Sequence, residues 1–433
     1  MKVLVINFFG LLFFIFSEAS WGRVYLDVDE ARALFPIAIV EFKNLDGKPD
    51  VYNISKTVAQ IISKDLDFTG LFKILPPESF LEDPQTAGIT ADEINFLNWS
   101  AIGAQGLVKG GFRQEREKVI IEARLFDVQQ QRFLTGRRYI GNKETLRTIA
   151  HKFANQIYAT LTGEPGIFET KIAYISEDKN KKEVYLMDFD GYNKRRFSYH
   201  GSIVLSPEWC PHGKWIAFTS YKNGDAHLYI KNFFSREELV ISRYPNLNIS
   251  PSWSPDGKEI ALTLSKDGNP EIYVMDKDGH NLKRLTKNWA IDVSPTWSPD
   301  GEKIAFVSNR SGSPQIYIMD RNGSNVQRIT YKGEYNSEPA WSPRGDKIAY
   351  SSLRGGKFQI CIINPDGTGD IQLTKKGSNE SPSWSPDGHY IAFTSTRNGK
   401  KQIFTMRANG TRIKQLTRKG MNYDPSWSPP LYY

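Results

Sequence analysis

Six tryptophans recur through the second half of the chain at a nearly fixed interval. Trp209, Trp253, Trp297, Trp341, Trp384 and Trp427 are separated by 44, 44, 44, 43 and 43 residues. Each opens one motif: W-S-P-D-G at Trp253, Trp297 and Trp384, W-S-P-R-G at Trp341, W-C-P-H-G at Trp209, and W-S-P-P at Trp427. Such a period constrains the fold strongly, because each repeat is one supersecondary unit that must stack on its neighbours to bury its apolar face. Within the motif, Pro presets φ and Gly accepts positive φ, which is turn chemistry. The first five motifs run into an apolar triplet such as Ile260-Ala261-Leu262 or Ile304-Ala305-Phe306. A third strand follows in most units, as at Gln315-Ile316-Tyr317-Ile318. Then come a Gly-marked turn and a short fourth strand, as at Lys283-Arg284-Leu285-Thr286. Four short strands at a period in the low forties predict the blades of a β-propeller.

The blade number follows from two incomplete repeats. Ile172-Ala173-Tyr174 is a second strand with no Trp motif before it, and Trp427 opens a motif with no second strand after it. The two fragments complement each other. The C-terminal strand around 425–428 is therefore expected to complete the blade begun at Lys171 and close a six-bladed ring over 167–433, leaving no open edge. Each Trp is read as an inter-blade core residue. The D-x-D-G at 276–279 is read as a hairpin turn, because the rest of a twelve-residue calcium loop is missing.

Ahead of the ring lie two other regions. Lys2 precedes an apolar run over 3–16, too short for a comfortable membrane span, followed by small residues. This predicts a signal peptide over 1–22, with cleavage after Gly22 or Ala19; an uncleaved anchor is the alternative. Residues 23–163 predict a small α/β domain. Short strands are expected at 37–42 and 72–75, helices at 53–66, 91–104 and 143–161, and longer alternating strands at 106–114 and 119–128. Thr90 and Glu93 suggest a capping box for the middle helix. Gly163-Glu164-Pro165-Gly166 reads as the linker. The segment 23–30, R-V-Y-L-D-V-D-E, alternates as an edge strand would, although an arm captured by a partner fits the same pattern.

Catalytic signatures are missing. The six His form no H-E-x-x-H pair, and there is no G-x-S-x-G elbow, P-loop or G-x-G-x-x-G. No metal or cofactor is expected, and neither is an enzyme. Cys210 and Cys361 are single substitutions in different blades and read as free buried thiols. The net charge of +8 is spread over repeat turns rather than gathered in a stripe, which argues against a nucleic-acid partner.

The whole chain resembles the TolB family, the propeller proteins of the Tol-Pal system. The most specific features are Phe168-Glu169-Thr170-Lys171-Ile172-Ala173-Tyr174, Asp188-Phe189-Asp190-Gly191-Tyr192-Asn193 and the truncated Trp427-Ser428-Pro429. The W-S-P-D-G-x-x-I-A-F pattern, a WD40-like repeat, is weaker alone, because propellers of peptidase families use similar repeats. The resemblance implies a monomeric, periplasmic adaptor without catalysis. Its propeller would dock on the outer-membrane lipoprotein Pal, making it peripheral to that membrane. Its mature N-terminal segment would bind TolA, and the system maintains outer-membrane integrity and envelope constriction at division. The TolA segment maps to Arg23, Val24, Tyr25, Leu26, Asp27, Val28 and Asp29, which favours the arm over the edge strand. The Pal-facing mouth maps to Leu247, Asn248, Ser250, Asp292 and Val293; family members often carry His where this chain has Leu247. Repeat symmetry adds Glu338, Glu380 and Asp424, for which turn capping is the alternative. A glycan-binding propeller at the cell wall is the competing reading.

Overall fold

The computed structural model describes residues 26, 28 and 33–431. The expected signal peptide lies outside them.

The N-terminal domain is a mixed sheet with helices on both faces. Its strands are β1 (Phe35–Ile39), β2 (Lys43–Asn44), β3 (Phe72–Ile74), β4 (Gly106–Glu115), β5 (Lys118–Asp127) and β6 (Arg132–Gly141). They run in the order β3-β1-β4-β5-β6, with β2 also on β4. β1 pairs in parallel with β3 and β4, whereas β4, β5 and β6 are antiparallel. Side chains alternate across the sheet. Val108, Ile121 and Leu125 pack under helices α1 (Ile54–Thr69) and α3 (Leu146–Thr162). Leu107 and Phe126 face the other side, against Phe96 and Trp99 of the short helix α2 (Phe96–Ala101).

The helices obey their local chemistry. Ile54, Val58, Ile62 and Leu66 recur every fourth residue of α1 and are wholly buried. Its first amides are capped from upstream, Asp50 accepting from Ile54 N–H at 2.8 Å and Ser55 N–H at 3.0 Å. A capping box of Asn142 and Thr145 precedes α3. The expected helix over 91–104 shrinks to α2 because Glu93 folds back instead of starting a helix. Its carboxylate accepts from the Ile89 and Thr90 amides and from the Thr90 hydroxyl. Asn95 then caps the helix that does form.

The remainder is a ring of six four-stranded sheets. Blades one to five occupy 204–242, 248–284, 292–328, 336–372 and 379–415 in unbroken order. Blade six combines Lys171–Asp178, Lys181–Asp188 and Arg195–Arg196 with the last strand, Met421–Trp427, as its innermost strand. The closing register sets Trp427 opposite Ile172 and Ser426 opposite Ala173. It reproduces the pairing inside an unbroken blade, where Trp297 faces Ile304 and Thr296 faces Ala305. The flanking bonds are reproduced too. Lys171 N–H donates to Ser428 Oγ and Ser428 N–H to Lys171 O, both at 2.8 Å, as Lys303 and Ser298 do at 2.9 Å in blade three.

Each Trp packs against the preceding blade. Trp297 sits with Ala261, Ile272 and Val274 of blade two, and Trp384 with Ala349, Ile360 and Ile362 of blade four. Trp427 packs with Tyr390, Ala392 and Ile403 of blade five and donates from Nε1 to Thr170 Oγ1 at 2.8 Å. Only Trp341 among the six is not fully buried. The motif turns are bonded internally: Ser298 donates to Asp300 at 2.5 Å, and Gly301 takes a φ of 74°. Cys210 and Cys361 are buried, in blades one and four.

The closing strand gives a direct prediction. Trp427→Ala removes a buried inter-blade ring together with a hydrogen bond, and should cost about 3–5 kcal/mol. Trp341→Ala, at a half-exposed position, should cost clearly less. Urea unfolding followed by circular dichroism measures both; equal losses would mean that closure does not depend on this residue.

Candidate docking surfaces

Two regions carry the residues singled out in the sequence: one mouth of the ring, and the junction between the domains.

The first strand of each blade starts at the mouth and runs along the channel. Near its start it bulges, as the register shifts between Ile249 and Ser252 or between Val293 and Thr296 show. The bulge residues Ser206, Ser250, Ser294, Glu338, Ser381 and Asp424 all take positive φ, between 50° and 57°. They line a channel of about 460 Å³ along with the following prolines and the motif tryptophans. Glu338 and Asp424 both bond the neighbouring blade. Glu338 accepts from Ser381 N–H at 2.7 Å, and Asp424 from Ser206 N–H at 2.9 Å. Glu208 also faces the channel and accepts from Ser426 Oγ. Glu380 instead pairs with Lys401 at 2.6 Å.

Asn248 and Asp292 hold equivalent places at the start of their strands, and both side chains are wholly buried. Asn248 accepts from Tyr244 N–H and donates to Ala226 O. Asp292 accepts from Arg310 at 2.8 Å and from Asn288 at 2.7 Å. Asn336, Asn379 and Asn422 repeat the arrangement, each donating to a glutamine at or near the start of the third strand of the preceding blade, Gln315, Gln359 or Gln402. The four asparagines therefore latch blade to blade, whereas the Asp292 side chain ties its strand to Arg310 of its own blade and to the loop before it. Leu247 and Val293 are half-buried beside them.

What the mouth does expose is aromatic. Trp289 is 76% exposed, Tyr331 71% and Tyr199 69%, all in loops leading into first strands. Ile291 and Tyr335 are exposed nearby. Sequence reasoning passed over these positions. A signal was present, since Trp289 occupies the place of Gly201, Gly333, Gly377 and Gly420 in other repeats, three residues after the Ser or Thr that follows the fourth strand.

At the domain junction, one apolar cluster runs from α1 and α3 into blades five and six through Phe168, Ile172, Phe189 and Tyr390. Phe189 stacks edge-on against Phe68 and His151. Arg147 of α3 bonds both Asp188 and Asp190 in the blade-six turn. His151 Nδ1 lies 2.6 Å from Asp65, whose carboxyl burial pushes up to about 6. Polar atoms of Asp65, His151 and Asp190 lie within 4.8 Å of one another, but the Arg147 guanidinium already neutralises Asp190.

Leu26 and Val28 dock at this junction. Leu26 N–H donates to Leu161 O at 2.8 Å, at the end of α3. Val28 is buried in the shared cluster, and its carbonyl accepts from Arg407 of blade five at 3.1 Å. Arg23, Val24, Tyr25, Asp27 and Asp29 lie outside the described residues.

With this geometry in place, known proteins can be compared. A model of the TolB amino-terminal domain matches residues 24–134, and one of the TolB beta propeller domain matches residues 158–431. The chain belongs to the TolB family. Curated TolB relatives bear the description "Tol-Pal system protein TolB". That of Syntrophotalea carbinolica is 42% identical over 178 residues, and that of Geobacter sulfurreducens 43% identical over 192. These alignments span 41% and 44% of each chain, so the matched part is about two fifths of those TolB proteins. The crystal structure of TolB from Acinetobacter baumannii is 30% identical, covers 92% of this chain and 97% of its own, and superposes with a TM-score of 0.80. Those curated relatives are described as proteins of the Tol-Pal system. Among its described residues, no helix is long and apolar enough to cross a membrane.

The channel carboxyls predict a pH dependence. Loss of hydration pushes Asp424 up to about 7, with the Glu338 charge adding to the shift, and Glu208 is likewise pushed up to about 7. An acid raised on folding favours the fold fully below its unfolded pKa, near 4, and that stability is lost as pH rises through about 7. Asp424→Asn keeps an acceptor for Ser206 and cannot ionise. It should raise stability at pH 8 by on the order of 2 kcal/mol and leave pH 4 nearly unchanged. Thermal melts across pH 4–8 test this; parallel curves for the two proteins would refute it.

Proposed function

We propose that this TolB-family chain is a non-catalytic, monomeric adaptor exported to the periplasm by a signal peptide over 1–22. It would link the outer-membrane lipoprotein Pal, at the ring mouth, to TolA, through the N-terminal segment 23–29. In that reading it serves outer-membrane integrity and envelope constriction at division. The family supplies the system. The observation that carries the mechanism is the docking of Leu26 and Val28 against a core shared by both domains.

The physical logic is a coupling between two surfaces. The described residues of the segment, Leu26 and Val28, are held by one main-chain bond to α3, one to Arg407 and a small apolar contact. Contacts of that size release a segment for a few kcal/mol, the range of allosteric coupling. Blade five supplies Arg407 to the segment, and its first strand carries Glu380 toward the mouth. A partner seated on the mouth can thus bias whether the segment is held or offered. The exposed aromatics suit a protein partner, since Trp and Tyr are the commonest anchors of binding energy.

Two variants separate the surfaces. Deleting 23–30 should abolish TolA binding and leave Pal binding in place. Trp289→Ala with Tyr331→Ala should weaken Pal binding at least tenfold with melting temperature unchanged, because both rings are exposed. Calorimetric titrations of purified Pal and TolA into each variant measure this. Loss of Pal binding with intact TolA binding in the deletion would invert the assignment.

A further inference from the structure

The sheet of the N-terminal domain ends in an open strand. β6 runs ten residues, a length of about 33 Å, and pairs only with β5. Beyond that pairing, Arg132–Gly141 make no backbone hydrogen bond among the described residues. A row of free N–H and C=O groups of this length is a template for another strand.

The chemistry along the edge selects what can pair there. Tyr139 and Arg137 lie opposite Ile121 and Ala123, and so point to the side of the sheet covered by α3. There a groove of about 450 Å³ opens between β6, α3 and the start of the ring. Arg137, Arg138 and Lys152 line it, with Gln156 bonding Thr135 at its rim. Arg137 and Arg138 are both exposed. One carboxylate is present, Glu169. It accepts from Asn155 through Oε2 at 2.9 Å, while its buried Oε1 has no hydrogen-bond partner. The opposite side of the strand exposes Phe133 and Ile140.

From this juxtaposition we infer that β6 is a docking edge for an extended, acidic segment of a partner protein. The segment adds as a further strand and places a carboxylate beside Arg137. Its alternate side chains are apolar and cover Phe133 and Ile140. A second copy of this chain is a poor occupant, because antiparallel self-pairing would bring the Arg137-Arg138 pairs together. The surface is separate from the ring mouth and from the docked Leu26 and Val28.

The probe is the blocked peptide TVEVEVT, labelled for fluorescence anisotropy and added to the full mature chain. Binding is expected, with hydrogen-exchange protection arising in 132–141. The neutral peptide TVQVQVT should bind at least tenfold more weakly. Arg137→Glu with Arg138→Glu should weaken TVEVEVT at least tenfold, and Arg137→Gln with Arg138→Gln should give a smaller loss even if the reversal fails to fold. Lys179→Glu with Lys181→Glu, an equal charge change at an exposed turn of blade six, should leave binding unchanged. Protection outside 132–141, equal losses in the two charge-reversed proteins, or a dimer formed through β6 would each overturn the proposal.

Discussion

Everything in the ring depends on one non-covalent seam, the antiparallel pairing of the last strand with 171–178. Five blades are continuous in sequence and form their hairpins locally. The sixth joins residues more than 240 positions apart. Nothing covalent holds it, yet its register and flanking bonds repeat those of the unbroken blades. The seam is also where the domains meet, since Trp427 and Ile172 belong to the same cluster as Phe153 and Ile157 of α3. Opening it would expose two strand edges and divide the core that supports the N-terminal domain.

The architecture was legible in the sequence because the repeat is a physical unit. Trp297 recurs every 44 residues because each blade must offer one large ring to the blade before it. The split of the sixth unit between Ile172 and Trp427 was enough to give the closure. The α/β domain was legible where periodicity was strong, as at Ile54, Val58 and Ile62. It was misread where polar side chains bonded locally, as Glu93 did. β6 was not read at all. Its sequence, R-F-L-T-G-R-R-Y-I-G, follows an edge strand's mixed exposure rather than a clean alternation.

The docking residues were less legible, for a reason the repeat explains. Positions equivalent by symmetry, such as Asn248, Asn336 and Asn379, look alike because they do the same internal work, latching adjacent blades. The proposed recognition residues are where the repeats differ. Trp289, standing in a glycine's place, is such a departure. The departures that fit no repeat role are the useful signal for a partner.

The seam has a consequence in time as well as in space. Chains are made from the N-terminus at about 5–20 residues per second. The strand 171–178 therefore emerges roughly 12 to 50 s before the residues that will pair with it. Through that interval the growing molecule holds an unpaired edge and an uncovered face waiting for Trp427. Whatever handles the nascent chain has to shield that edge, and the order of synthesis, rather than the strength of any blade, sets when the ring first becomes whole.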